Sequence, residues 1–251
     1  MDRTYQDTFE RKEMKYLLSD DQYKALLEGL LPVARVDDYG LTHIYNVYFD
    51  TPDFSLIRTC LGKPLYREKL RLRTYGIPEE DSPSFIEIKK KYRGIVYKRR
   101  IKAPYEQARS YLEMGTELSD HSQIRREIDW FLQIHRGLVP AMAIAYDRVA
   151  MQGILNPSLR LTFDTNLRYS RTELDLREGN HGKTLLDPGQ VLLEIKISGA
   201  MDRSLSSLLD RYQIYPAAYS KYGESCRKEM REHEVRHGFH LPETAEGLAY
   251  A

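Results

Sequence analysis

The sequence predicts an α+β fold in which an antiparallel β-barrel forms a tunnel with a charged lumen and helices cover its outer face. Two observations carry this. In residues 9–16, 67–75, 84–91 and 192–197 charged residues alternate with mostly apolar ones, the two-residue period of a strand with a polar and a greasy face. One parity of the strands is also strongly cationic: Arg11, Lys15, Lys69, Arg71, Arg73, Lys89, Lys91, Lys98, Arg100, Arg148, Arg160 and Lys196 stand against Glu13, Glu87, Asp164 and Glu194. The whole chain holds 38 basic and 37 acidic residues, so the cations are segregated. Like charges on neighbouring strands repel, and such rows persist where a polyanion lies among them. Turning them inward leaves apolar faces outside, which need helical cover.

The elements follow in order. Ser19-Asp20-Asp21 caps a helix running to about Leu31, where Leu26, Leu27 and Leu30 form an apolar stripe before Pro32. Strands are predicted over 41–49, 65–75, 85–91 and 95–102, the last two joined by a Tyr92-Arg93-Gly94 turn. Helices over 105–114 and 122–135 come next, the second carrying Trp130, Phe131 and Ile134. Strands return at 141–151, 159–168 and 191–198. The polar stretch 169–190 holds a short strand near 184–186, and helices over 201–212 and 221–235 close the fold.

Composition bounds the function. At 251 residues with no linker-like run, the chain is expected to form one domain over residues 1–236, with 237–251 a flexible tail. A net charge of +1 places any anion binding in local arrangement. Cys60 and Cys226 lack metal-type spacing and read as free thiols, and the seven histidines show no ligand motif. No window approaches the roughly 20 apolar residues of a membrane span, so a soluble, cytoplasmic protein is expected, one that could still dock on a membrane-protein partner. No P-loop, zinc finger or basic helix points to nucleic acid.

At this point the residues carry a resemblance. Arg11-Lys12-Glu13-Met14-Lys15-Tyr16 resembles the Glu-x-Glu-x-Lys strand of the triphosphate tunnel metalloenzymes, with Arg11 where the first Glu would stand. With Tyr48-Phe49-Asp50-Thr51, Leu70-Arg71-Leu72-Arg73, Glu87-Ile88-Lys89, Glu194-Ile195-Lys196 and Ser220-Lys221-Tyr222, the chain is similar over residues 8–226 to the catalytic domain of the vacuolar transporter chaperone (VTC) complex, a polyphosphate polymerase. The resemblance implies the triphosphate tunnel fold, ATP as phosphoryl donor, and Mn2+ or Mg2+. The sensing domain and membrane segments of eukaryotic relatives have no counterpart, so the chain looks like a bacterial stand-alone form.

Site residues follow from chemistry and from the motifs. Guanidiniums match phosphate oxygens bidentately, which makes Arg71, Arg73, Arg148 and Arg160 clamps on the donor. The expected catalytic set is Lys15, Arg71, Arg73, Lys89, Arg148 and Lys221. Arg11, Lys69, Lys91, Lys98, Arg100, Arg160, Lys196 and Ser220 are expected to bind phosphate or polyphosphate. Glu194, in the strand matching the family's metal-binding Glu-x-Lys, is the first metal candidate and Glu13 the second. Glu87 and Asp164 read as structural partners of lysines, and Tyr75 or Tyr222 as an adenine stack. The expected reaction moves the γ-phosphate of ATP onto a growing polyphosphate chain and releases ADP. Hydrolysis of inorganic or nucleoside triphosphate remains the alternative, followed by non-catalytic binding of polyphosphate or inositol phosphate.

Overall fold

The computed structural model describes residues 11–93, 95–179 and 181–237, with side chains over 12–232; the first residues of the predicted opening strand and the tail 238–251 lie outside them. Nine strands form one antiparallel sheet: β1 (Arg11–Leu18), β2 (Ala34–Asp50), β3 (Tyr66–Tyr75), β4 (Pro83–Tyr92), β5 (Ile95–Pro104), β6 (Val139–Gly153), β7 (Arg160–Ser170), β8 (Lys183–Thr184) and β9 (Val191–Ser198). Their order is β1-β9-β7-β6-β2-β3-β4-β5, with β8 paired to β7. Six helices accompany them: α1 (Asp20–Leu30), α2 (Ser55–Leu61), α3 (Tyr105–Met114), α4 (Gln123–Ile134), α5 (Arg203–Arg211) and α6 (Lys221–His237).

Local chemistry explains most boundaries. Ser19 and Gln22 form a reciprocal capping box on α1, Ser122 caps α4, and Gly115 ends α3 at φ +69°, where a side chain would be strained. Two elements differ from expectation. β2 starts at Ala34 instead of Leu41, because its polar first half pairs with β6 through a register shift between Val36 and Leu41, where Gly40 takes φ +57°. The irregularity hides the two-residue period. The α2 helix is not predicted from the sequence, because its apolar set Leu56, Ile57, Cys60 and Leu61 spans under two turns; Asp50 accepts from the backbone amides of Leu56 and Ile57 at 2.9 and 3.0 Å and thereby starts it.

Three apolar clusters hold the molecule together. One packs the outer face of β2–β5, through Val47, Leu70, Leu72, Ile86 and Ile88, against α3 and α4. A second packs β1, β7 and β9 against α1 and α5. The third lies on the concave face, where Ile44, Tyr48, Met142, Ile144 and Tyr146 meet Ile57 and Cys60 of α2 and Tyr222 and Cys226 of α6. Helices cover the outer face, as the alternation suggested, and α2 and α6 cover part of the concave face as well. The middle of β2 and β6 is buried on both faces, which makes their sequence a nearly continuous apolar run. Both cysteines are free and buried here.

The barrel is curled but not hydrogen-bonded shut: among the described residues the pairing path ends at β1 and β5. On the β1 side, the amide of Ala217 donates to the carbonyl of Lys15 at 2.7 Å and Tyr16 bridges to Pro216. This covers part of an edge that would otherwise offer free pairing groups.

Candidate active site

The alternation of β3, β4 and β5 stacks cations in rungs. The register aligns Lys69 with Lys89 and Lys89 with Lys98; Arg71 with Glu87 and Glu87 with Arg100; and Arg73 with Phe85. On the other wall Arg148 faces Asp164, Lys15 faces Glu194, and Arg160 faces Lys196. The start of α6 brings Ser220 and Lys221 into the same space, where Lys69 Nζ donates to Ser220 Oγ at 3.0 Å and Lys15 Nζ to the carbonyl of Tyr219 at 3.1 Å.

Internal anions neutralise part of this charge. Glu87, 1% exposed, binds Arg71 at 2.7 Å and Lys98 at 2.6 Å, with Arg73 at 3.8 Å. Asp164, fully buried, takes both arms of Arg148 at 2.6 and 2.8 Å and Lys221 at 2.5 Å. Glu194 pairs with Lys196 at 2.6 Å, and Glu13 with Lys89 at 3.3 Å and Lys15 at 3.5 Å. Two phenols and an amide complete the set. Arg71 donates to Tyr48 Oη at 3.0 Å; Arg73 donates to Asn46 Oδ1 at 2.8 Å and to Tyr146 Oη at 3.2 Å.

The cations set the protonation states. Burial alone would raise the Glu87 carboxyl, but Arg71, Arg73 and Lys98 hold it down at about 2. Burial likewise opposes ionisation of Glu194, and Lys196, Lys15 and Lys221 override it. Tyr146 is drawn down to about 8, because Arg73, Arg148 and Lys221 outweigh its burial. Burial moves the lysines the other way. It lowers Lys69 and Lys89, and takes Lys98 to about 8 against the pull of Glu87. An arriving phosphate would add negative charge that offsets the burial of these ammonium groups.

Most predicted residues thus share one concave face: Lys15, Lys69, Arg71, Arg73, Lys89, Lys98, Arg148, Lys196, Ser220 and Lys221. Arg100 joins them with its guanidinium 4.7 Å over the Phe85 ring. Arg160 sits further out, paired with Asp37 at 3.4 Å, and Lys91 has no ion pair among the described residues. The side chain of Arg11 lies outside the described residues. Tyr222 is 2% exposed, stacks on Tyr48 at 4.5 Å and donates to Asp50 at 2.8 Å, so it is corrected from adenine stack to core residue. Sequence reasoning missed Asn46, Tyr48 and Tyr146 as holders of the arginines. Their only signal is a polar group on the same strand parity as neighbouring core residues.

No group of three or more His, Cys, Asp or Glu side chains capable of holding a metal exists among the described residues. Two carboxylates from adjacent strands, Glu13 and Glu194, influence each other's ionisation and are both held in the charged form. Two hard oxygen donors suit a cation that keeps waters and shares phosphate oxygens, as Mg2+ and Mn2+ do, so the donor set fits such an ion.

Residues 10–229 match the VTC domain family model. Among solved structures, the putative adenylate cyclase of Bacillus halodurans aligns with a TM-score of 0.51 at 16% identity, covering 84% of this chain and 95% of its own; that likeness concerns the fold alone. A putative adenylate cyclase from Vibrio parahaemolyticus gives 0.48 at 13% identity, covering 88% and 99%. A putative adenylyl cyclase from Hippeastrum, described as having a dominant triphosphatase activity, gives 0.47 at 16%, covering 92% and 97%. No curated protein matches the chain in sequence. No helix among the described residues is long and apolar enough to cross a membrane.

Proposed function

The chain belongs to the VTC domain family, and from that membership we propose that it is a polyphosphate polymerase that transfers the γ-phosphate of ATP to the end of an inorganic polyphosphate chain. The observation that supports this most is the shared concave face on which Arg71 and Arg73 adjoin Lys69, Lys89, Lys15 and Lys221. The guanidiniums clamp the donor, and the ammonium groups with Ser220 hold the acceptor chain. The terminal oxygen of that chain is already ionised, so no general base is required. It attacks the γ-phosphorus in line, the bond from γ-phosphorus to the bridging oxygen breaks, and ADP leaves carrying the electron pair.

Preorganised cations facing the equatorial oxygens stabilise the transition state without reorganisation. Glu194 and Glu13 would hold a divalent ion, which when bound neutralises charge on the phosphates. The activity is assigned to residues 1–236 as one unit. Its test is incubation of the pure protein with ATP and manganese, followed by a urea gel stained for polyphosphate and quantification of ADP and free phosphate. Chains with ADP and little free phosphate are expected. Stoichiometric free phosphate without chains would make the protein a triphosphatase and overturn the polymerase reading.

A further inference from the structure

At the rim of the lumen the rung pattern changes chemistry. Along β3 the inward series Lys69, Arg71, Arg73 ends in Tyr75, which pairs across the sheet with Ile44 of the concave cluster. Tyr75 is 49% exposed. Its ring lies 5.7 Å from that of Phe85 at 80°, an edge-to-face pair, and Phe85 carries the Arg100 guanidinium over it at 4.7 Å. An aromatic pair backed by a cation therefore caps the row of phosphate clamps. Nothing in the internal ion-pair network requires it: Arg100 has no carboxylate partner among the described residues, and Tyr75 makes no side-chain hydrogen bond there.

We propose that Tyr75, with Phe85 and Arg100 behind it, is the platform on which the nucleobase of the donor stacks. This rests on the polymerase reading above and adds to it how the nucleoside end is held. Two residues along a strand span about 6.6 Å, so Tyr75 stands about 7 Å from Arg73 and about 13 Å from Arg71. The path from base through ribose to the third phosphate of an extended nucleoside triphosphate is of this order. The base rests at the rim, the first phosphates lie by Arg73, and the γ-phosphate reaches Arg71. Stacking uses the π-face common to all bases, so recognition by this platform is tolerant among purines. The geometry also gives the tunnel a direction. ADP leaves by the Tyr75 rim, and the chain lies on the side of Lys69, Lys89 and Ser220.

Calorimetric titration of the wild type and Tyr75→Ala with ATP and, separately, with inorganic tripolyphosphate tests this. Tyr75→Ala is expected to weaken ATP at least fivefold while leaving tripolyphosphate within twofold, and Tyr75→Trp to retain ATP affinity. An equal effect on both ligands, or none on either, would overturn the platform. Failure of the wild type to bind either ligand would remove the triphosphate reading itself.

Discussion

Glu13 on β1 and Lys89 on β4 meet at 3.3 Å, although their strands stand near opposite ends of the sheet. This contact and the Ala217–Lys15 hydrogen bond lie at the side where backbone pairing stops. Glu13 is also a metal candidate, and the two roles can be separated. The pair is partly exposed, so Glu13→Gln should cost less than about 1 kcal/mol of stability. Without metal, tripolyphosphate should bind severalfold tighter, because the lumen loses a negative charge. Manganese-supported turnover should fall. Calorimetry in chelator and steady-state rates at varied manganese check both directions.

Arg71 holds the buried Glu87 and, under the proposed function, also clamps the donor. Arg71→Ala leaves the buried Glu87 with Lys98 and the more distant Arg73, and an under-compensated interior charge costs about 3 kcal/mol. Adding Glu87→Gln should recover more than 1 kcal/mol of that loss, while turnover stays abolished in both variants. Urea denaturation alongside the polyphosphate assay reads the cycle. Full additivity in stability would contradict the pairing.

Acid should expose the same carboxylate. Glu87 is held at about 2 in the folded chain against an ordinary 4.5, so its stabilisation is complete above 4.5 and is lost as the pH falls towards 2. The loss amounts to about 3 kcal/mol. Glu87→Gln should start less stable at neutral pH and show a shallower decline through this window. Urea midpoints measured at stepped pH values give the slopes.

Tyr146 supplies an optical probe of the lumen. Its phenol, held at about 8 by Arg73, Arg148 and Lys221 against the effect of burial, should give a tyrosinate absorbance step near that pH, absent in Tyr146→Phe. Saturating tripolyphosphate should move the step upward, because the polyanion competes for the same cations. A step unchanged by ligand would place the phosphates away from Tyr146.

Much of this was legible in the sequence because alternation is local. Lys69, Arg71 and Arg73 announce their shared face through spacing alone, and Ser19 and Ser122 announce their helices. The inner plug was not legible. Whether the apolar residues of β2 and β6 face out or in depends on α2 and α6 folding back over them, which is a tertiary outcome. Nor could spacing assign Asn46 and Tyr146 to Arg73, since that contact joins strands about 27 and 73 residues apart in sequence. Glu87 and Asp164 were legible as partners of cations, but the arginines among those partners emerge only from register and packing.

The internal anions have a consequence for anything that moves along the lumen. Glu13, Glu87, Asp164 and Glu194 are spread among the cations, so much of the positive charge on the described wall has a carboxylate beside it. A polyanion advancing by one unit would exchange one set of cations for a similar set at the next rung. Such a balance favours a shallow free-energy profile along the axis: grip is shared over many positions, and under the proposed function the chain can advance between additions.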